Sequence, residues 1–487
     1  MRLSALLSAV EPKAVLSTYG NNGRDPEITG IACNSRCVQP GHLFVMIRGV
    51  RHDARDFAND AVRRGASAIV GETFVDGVEV PQYVVSDPRR VLADLASEFY
   101  GEPSRALTCV GITGTNGKST TAYLLSSIYR ALGDNPGLIG TLGHGIFGAL
   151  VPGKNTTPDA LTIQALLREF VERGSMTTVM EVSSHGIAQG RVRGIHFDAA
   201  VFTNLTHDHL DYHSSFDDYR ETKARLFDEL SPLAVAVLNA DDESGKRMGL
   251  LTRARVVRYA LDRNDVEWSA RVLERSLEGS RFEVRGPSMC TQIQTRLLGR
   301  HNVMNCLAAA ATAATLGVPE QAIRAGIESV SRVPGRLERV SVPGKPIVLV
   351  DYAHTDDALE NVLRSLRPHV SGRLITVFGA GGDRDATKRP RMGRVVAELS
   401  DEIVITSDNP RSEDPAAIAA EVQSGMGSRT ATVELDRRRA IERAIEFAQH
   451  GDAVLIAGKG HETYQVIGSQ TTRFDDREVA REILSAR

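Results

Sequence analysis

Leu107-Thr108-Cys109-Val110-Gly111-Ile112, followed at once by Thr113-Gly114-Thr115-Asn116-Gly117-Lys118-Ser119-Thr120, is the stretch on which the fold turns. The first six residues make an apolar run of strand length, the next hold two glycines among polar side chains, and an apolar helical segment continues through Leu132. A strand that runs through a tight turn into a helix presents free backbone N–H groups at the helix N-terminus, where they can surround phosphate oxygens. Lys118 then supplies a cation and Ser119 a hydroxyl for magnesium. The strict phosphate-loop pattern has glycine at position 112, where this chain has Ile112. The Gly-Lys-Ser core in its strand–loop–helix setting still carries the reading.

Outward from this stretch, Ala106 to about Pro334 alternates apolar runs (Thr178–Met180, Ala199–Phe202, Ala234–Leu238) with helical stretches, which predicts βα units around a largely parallel sheet. Before it, short β-like pieces at Leu43–Ile47 and Ser67–Val70 flank a helical Asp56–Arg64, and Pro103 closes the segment. After the Val333-Pro334-Gly335 hinge the pattern resumes with Ile347–Val350, Leu374–Phe378, Ile403–Ile405 and Ala453–Ile456. Each of these ends in a polar or glycine-rich loop, and ligands of open α/β sheets bind beyond the carboxyl ends of strands. The expected organisation is α/β with three domains, 1–103, 104–334 and 335–487.

A length of 487 residues suits several cores, and a net charge of −3 provides no general field for nucleic acid or an anionic membrane. Small-molecule partners are expected instead. Met1–Val10 is too briefly apolar for a signal peptide, and no run approaches the ~18 residues of a spanning helix. A cytoplasmic protein without membrane insertion follows as the expectation. The five cysteines, Cys33, Cys37, Cys109, Cys290 and Cys306, read as reduced thiols. Glu181, at the end of an expected strand, is placed to offer magnesium one of the few carboxylates that such an ion takes from protein.

Gly114-Thr115-Asn116-Gly117-Lys118-Ser119 resembles the phosphate loop of the Mur ligases and of their relative folylpolyglutamate synthase. The Mur branch is supported by Asn155-Thr156-Thr157-Pro158, Glu181-Val182-Ser183-Ser184-His185, Thr203-Asn204-Leu205-Thr206-His207-Asp208-His209-Leu210-Asp211 and Leu298-Gly299-Arg300-His301-Asn302-Val303-Met304-Asn305. The resemblance implies a central P-loop ATPase-type domain flanked by a uridine-binding α/β domain and a Rossmann-like domain that binds the amino acid. It implies ATP and Mg²⁺, with Gly114, Thr115, Asn116, Gly117, Lys118, Ser119, Thr120, Asn302, Arg336 and Asp351 at the nucleotide. Ser119, Glu181, His209 and Lys223 would serve the metal, Lys223 as a CO₂-derived carbamate, since an ammonium cannot ligate a cation. Lys118, Glu181, His209, Lys223 and Asp351 are the implied catalytic set.

Asn34-Ser35-Arg36 and Pro40-Gly41-His42-Leu43-Phe44 resemble the family's uridine-binding region, with Asn34 and His42 where the family has aspartates. Ser35, Arg51, His52, Asp53, Asn155, Thr156, Thr157, Ser183, Gln189 and Arg191 are the implied contacts of UDP-MurNAc-L-Ala-D-Glu. Asp351-Tyr352-Ala353-His354-Thr355 resembles the first strand-end loop of the final domain, although Asp356 stands where the family usually has proline.

Asp408-Asn409-Pro410-Arg411 resembles the signature of members that add meso-diaminopimelate. That substrate differs from lysine by a second carboxylate, which Arg411 can pair bidentately. Arg389, Gly458 and Glu462 complete the implied amino-acid contacts. The implied reaction is ATP-dependent amide synthesis through an acyl phosphate, by a monomer acting on small molecules in peptidoglycan precursor synthesis. Alternatives are a lysine-adding ligase, folylpolyglutamate synthase and a nucleotide-switched binding protein without catalysis.

Overall fold

The structure is a computed structural model, and residues 1–10, 14–20, 24–49, 54–206, 208, 212–340, 342 and 345–486 are described. The chain divides into two compact units, the first of residues 1–111, 134–200 and 229–234, the second of residues 112–133, 201–228 and 235–487.

In the first unit, β1 (Val15–Tyr19), β2 (Gly30–Ala32), β3 (His42–Val45), β4 (Ala68–Gly71) and β5 (Gln82–Val85) form a sheet of order β1-β5-β4-β3-β2. All neighbours are parallel except β1 and β5. Alternate side chains enter separate cores, Leu43, Val45, Ala68 and Val70 on one face and Phe44 and Ile69 on the other. Burial on both faces explains why these strands read as unbroken apolar runs. The same unit holds the start of β6 (Thr108–Thr113), β7 (Gly137–Gly140), β8 (Gly143–Ile146) and β9 (Thr177–Glu181), adjacent in the order β6-β9-β7-β8.

The second unit takes the end of β6 and the end of β10 (Ala199–Phe202), with β11 (Val235–Asn239), β12 (Arg255–Leu261), β13 (Trp268–Ser276), β14 (Gly279–Gly286) and β15 (Met289–Thr295). Their order is β15-β14-β13-β12-β11-β10-β6. The β11–β12 and β12–β13 pairs are parallel, whereas β13, β14 and β15 form an antiparallel meander. Nothing in the sequence patterning singled out this meander. Its residues alternate buried and exposed, as in Arg281, Phe282, Glu283 and Val284, so the strands lack the unbroken apolar runs that betray parallel ones.

The second unit also contains a sheet of β16 (Glu338–Val340), β17 (Ile347–Asp351), β18 (Leu374–Phe378), β19 (Glu402–Ile405), β20 (Thr432–Val433) and β21 (Ala453–Ala457), in the order β16-β17-β21-β18-β19-β20. Only the β16–β17 pair is antiparallel. Leu349, Leu374 and Phe378 pack against helices Asp356–Leu366, Lys388–Leu399 and Pro415–Ser424. Val348, Val350, Ile375 and Val377 pack on the opposite face against helices Arg437–Phe447 and Asp476–Ala486. With helices on both faces, the carboxyl ends of β17, β18, β19 and β21 remain the open edge for a ligand.

Candidate active site

The phosphate loop lies between β6 and the helix Lys118–Ala131. Gly117 has φ +85°, and a Cβ there would run into Asn305 Oδ1; at Gly114 it would run into Thr203 Oγ1. The loop is held by the end of β10. Thr115 N donates to Asn204 O at 2.8 Å, Asn116 N to Asn204 Oδ1 at 2.9 Å, and Thr203 Oγ1 to Asn116 O at 2.6 Å. Lys118 Nζ donates to the carbonyls of Gly114 (2.8 Å) and Thr115 (2.7 Å).

Lys223 enters from the helix Phe216–Asp228 and is 1 % exposed. Its Nζ donates to the Gly114 carbonyl at 3.0 Å and lies 4.6 Å from the centre of the Tyr219 ring. Burial, then the charge of Lys118, push its pKa well below the usual lysine value, with Asp208 opposing. The loop and both lysines lie in the second unit, and their chemistry fits a nucleotide triphosphate. Arg336 Nη2 donates to Ser119 Oγ at 3.0 Å, and the guanidinium carbon lies 4.7 Å from the Tyr352 ring centre.

Asp351 ends β17 and turns inward. Its carboxylate accepts the backbone N–H groups of Leu337 (2.6 Å) and Ala353 (2.7 Å), tying the hinge segment to the strand end. Burial raises its pKa, while Arg336 and the two N–H donors oppose that rise. Asn302 works one step removed, since its Oδ1 accepts Asn305 Nδ2 at 3.0 Å and Asn305 in turn faces Gly117. Asp357, unassigned by the sequence analysis, accepts Asn116 Nδ2 at 2.7 Å and Thr206 Oγ1 at 3.1 Å. The Asp356 beside it approaches Arg391 at 3.4 Å.

Beyond β19 and β21, the loops bearing Asp408–Arg411 and Gly458–Glu462 meet. Asn409 Nδ2 donates to Glu462 Oε2 at 2.8 Å, and Gly458 has φ +117°, with Asp408 Oδ2 where a Cβ would project. Burial, then Asp408, raise the pKa of Glu462. Arg411 is in the left-handed region (φ +51°), fixed by Arg411 N to Val466 O (3.1 Å) and Gly468 N to Arg411 O (2.6 Å). Its Nη1 donates to Gly382 O at 2.6 Å. Gly382 allows that approach because a Cβ there would strike the Pro410 carbonyl.

Arg389, expected at the incoming amino acid, is paired within the protein. It is 1 % exposed, and its guanidinium is engaged by Glu413 (2.8 and 2.9 Å), Glu421 (3.0 Å) and the Gly381 carbonyl (3.2 Å). In this arrangement it pins the glycine-rich loop to the Arg411 loop, and a substrate carboxylate would have to displace a glutamate to reach it.

In the first unit, Glu181 ends β9 and accepts Thr141 N (2.7 Å) and Thr141 Oγ1 (3.1 Å). Thr141 Oγ1 and Thr156 Oγ1 are 2.9 Å apart, Thr157 Oγ1 donates to Glu181 O at 2.8 Å, and Ser183 N donates to Thr157 Oγ1 at 3.0 Å. Arg191 donates to Thr157 O (2.6 Å) and to Gln189 Oε1 (3.1 and 2.7 Å). The structure thus gathers Thr156, Thr157, Glu181, Ser183, Gln189 and Arg191 into one bonded cluster, with Asn155 adjoining in sequence. Thr141 belongs to it without any sequence signal. Ser35 is buried and bonds to the Asp60 carboxylate. His209, Arg51, His52 and Asp53 lie outside the described residues. Among the described residues no group of three or more His, Cys, Asp or Glu forms a ready metal cage, and a nucleotide-bridged magnesium needs none.

A phosphate loop braced by a neighbouring strand end, with charged loops meeting at the open edge of a second α/β sheet, fits the nucleotide-dependent ligase class. The chain belongs to the Mur ligase family: residues 112–313 match the Mur ligase middle domain, 335–460 the Mur ligase glutamate ligase domain, and 27–100 the Mur ligase family catalytic domain. It is 44% identical over 486 residues, 99% of this chain and 98% of the other, to the UDP-N-acetylmuramoyl-L-alanyl-D-glutamate--2,6-diaminopimelate ligase of Bacillus velezensis. To the ligase of the same name from Gloeobacter violaceus it is 46% identical over 492 residues, 100% of this chain and 99% of the other.

A solved structure of a ligase of that name superposes with a TM-score of 0.69 at 35% identity, covering 94% of this chain and 95% of the other. MurF from Acinetobacter baumannii shares the fold, with a TM-score of 0.68 at 21% identity over 99% of this chain and 97% of the other. The architecture is the three-domain α/β fold of the Mur ligases.

Proposed function

We propose that this chain is an ATP-dependent ligase that adds meso-diaminopimelate to the D-glutamyl γ-carboxylate of UDP-MurNAc-L-Ala-D-Glu in peptidoglycan precursor synthesis. The observation that carries the choice of amino acid is that the loop bearing Asp408 and Arg411 is bonded to the loop bearing Glu462, through Asn409, at the carboxyl ends of β19 and β21. One cationic and one anionic element suit the zwitterionic far end of diaminopimelate; lysine would leave Arg411 unmatched. Full-length relatives of the same name support the reading.

In the reaction an oxygen of the γ-carboxylate attacks the γ-phosphorus of ATP, the bond to ADP breaks, and an acyl phosphate forms. The free amine of diaminopimelate attacks the acyl carbon, phosphate leaves, the amine proton is released and the amide remains. Lys118, with the backbone N–H groups of Gly117–Thr120, stabilises charge moving onto the phosphates. Asn302, Arg336 and Asp351 complete the nucleotide site, with Asp351 ordering the hinge. Ser119, Glu181, His209 and a carbamate of Lys223 are the residues proposed to hold magnesium, which would supply positive charge against the phosphates. The enclosed Lys223 amine, biased toward its neutral nucleophilic form, supports carbamate formation from CO₂.

Ser35, Arg51, His52, Asp53, Asn155, Thr156, Thr157, Ser183, Gln189 and Arg191 are proposed for the nucleotide-sugar peptide. Arg389, Asp408, Asn409, Pro410, Arg411, Gly458 and Glu462 are proposed for the amino acid. Domain limits near 103 and 334, a monomeric state and a cytoplasmic location belong to the same proposal. No helix among the described residues is long and apolar enough to cross a membrane.

ADP release with Mg²⁺, ATP and UDP-MurNAc-L-Ala-D-Glu, compared with meso-diaminopimelate, L-lysine and no amine, tests the reading. Turnover with diaminopimelate alone is expected. Turnover with lysine would overturn the choice of amino acid, and none with either amine would overturn the acceptor or the ligase itself.

A further inference from the structure

Lys459 lies between two glycines in the loop after β21, yet its side chain is 0 % exposed. A buried ammonium requires partners. Its Nζ donates to Asn409 Oδ1 at 3.1 Å and to Glu462 Oε2 at 3.2 Å, and lies 5.5 Å from the Tyr464 ring centre. Asn409 Oδ1 also accepts Val466 N at 3.0 Å. Two donors on that oxygen decide which way the amide faces, so Nδ2 points to Glu462 Oε2 at 2.8 Å. Both donors therefore converge on one oxygen of Glu462, and Oε1 has no hydrogen bond among the described residues.

Asp408 adds a second carboxylate, 8 % exposed, whose Oδ2 is buried without a hydrogen-bond partner. Arg437, the other buried cation facing this region, is matched by Asp476 at 2.7 Å. Asp408 Oδ2 and Glu462 Oε1 are thus two carboxylate oxygens without a hydrogen bond among the described residues, on either side of the bonds that Lys459 and Asn409 make.

We infer that Lys459 is a positioning residue for amino-acid selection: it orients Asn409 and occupies one oxygen of Glu462, so that Asp408 and the other Glu462 oxygen take a single ammonium of the incoming amino acid. This rests on the proposed function above. Lys459 touches no reacting atom, and removing it frees the Asn409 amide to turn and leaves two carboxylates mutually repelling in a buried place.

The test uses full-length Lys459→Met, whose unbranched side chain fills the space without charge. KM for meso-diaminopimelate should rise roughly ten- to hundred-fold, the span of one to two lost charge-assisted hydrogen bonds. KM for ATP and for UDP-MurNAc-L-Ala-D-Glu should stay near wild type, as should kcat at saturating amine and single-turnover ADP formation without amine. An unchanged KM for diaminopimelate, or an equal rise in all three KM values, overturns the inference. If Lys459→Met lacks the amine-independent ADP burst, Lys459→Gln is judged by the same criteria, and loss of the burst in both overturns the assignment to the amino-acid pocket. A wild-type enzyme indifferent to diaminopimelate would instead refute the underlying function.

Discussion

Lys118 and Lys223 share one acceptor: the Gly114 carbonyl oxygen lies 2.8 Å from Lys118 Nζ and 3.0 Å from Lys223 Nζ. Burial, and after it the charge of Lys118, lowers the pKa of Lys223 and so shifts it toward the neutral amine. A neutral amine is the form that reacts with CO₂. Lys223→Ala should lower kcat on the order of a hundredfold or more, the scale for losing an electrostatic element of a phosphoryl-transfer site. Added short carboxylic acids should restore part of the rate; full activity without them would remove Lys223 from the chemistry.

Arg411 is fixed by its backbone as well as its side chain, so replacing it changes charge at a defined place. Arg411→Ala should raise KM for diaminopimelate about ten- to hundred-fold, with KM for ATP little changed. Steady-state kinetics varying each substrate in turn would decide, and equal effects would exclude Arg411 from recognition.

Asp357 bonds both Asn116 of the phosphate loop and Thr206 of the loop after β10. Asp357→Ala leaves those polar groups without their acceptor, and kcat/KM for ATP should fall roughly tenfold, equivalent to ~1.4 kcal/mol. An unchanged dependence on ATP concentration would show that the contact contributes nothing to nucleotide use.

Arg437 and Asp476 are both 0 % exposed and joined by bonds of 2.8 and 2.7 Å, while Arg437 also reaches the carbonyls of Ser407 (3.3 Å) and Ala457 (3.0 Å). Removing one partner strands a buried charge, so Arg437→Met should cost about 3–5 kcal/mol of stability. The double substitution Arg437→Met/Asp476→Leu should cost less than Arg437→Met alone. Denaturant unfolding of the three proteins measures this, and simple additivity would contradict it.

His301 is the second residue of the helix Arg300–Thr315, and burial pushes its pKa from the ordinary 6.5 down to about 4. The unfolded chain therefore takes up a proton at this residue before the folded chain does. Its contribution to stability is complete above pH 6.5 and falls away between there and about pH 4, by as much as ~3 kcal/mol. His301→Gln should flatten that part of the stability–pH curve, followed by urea midpoints at several pH values; an unchanged slope would assign the loss to other groups.

The strands buried on both faces were legible because fully apolar runs of four to six residues have few other uses, and β17, β18 and β21 appear within a residue or two of where the sequence placed them. The antiparallel meander β13–β15 was not, since alternating polar and apolar residues in a charge-rich segment also suit exposed loops. Lys118 and Arg411 were found because each sits in a short motif whose chemistry is local. Lys459, Asp357 and Thr141 were missed because their significance lies in partners 50, 241 and 40 residues away.

By itself, the sequence determined the α/β class, the phosphate loop and the Mur ligase family, because propensity, apolar patterning and short contiguous motifs are properties of neighbouring residues. Only tertiary structure decided that two lysines 105 positions apart in the sequence meet on one carbonyl, that Arg389 is already paired, and that Lys459 supports the pocket from beneath. Hydrogen bonds, buried charge and the resulting pKa shifts depend on distance in space, which strand order and register create and no local pattern encodes.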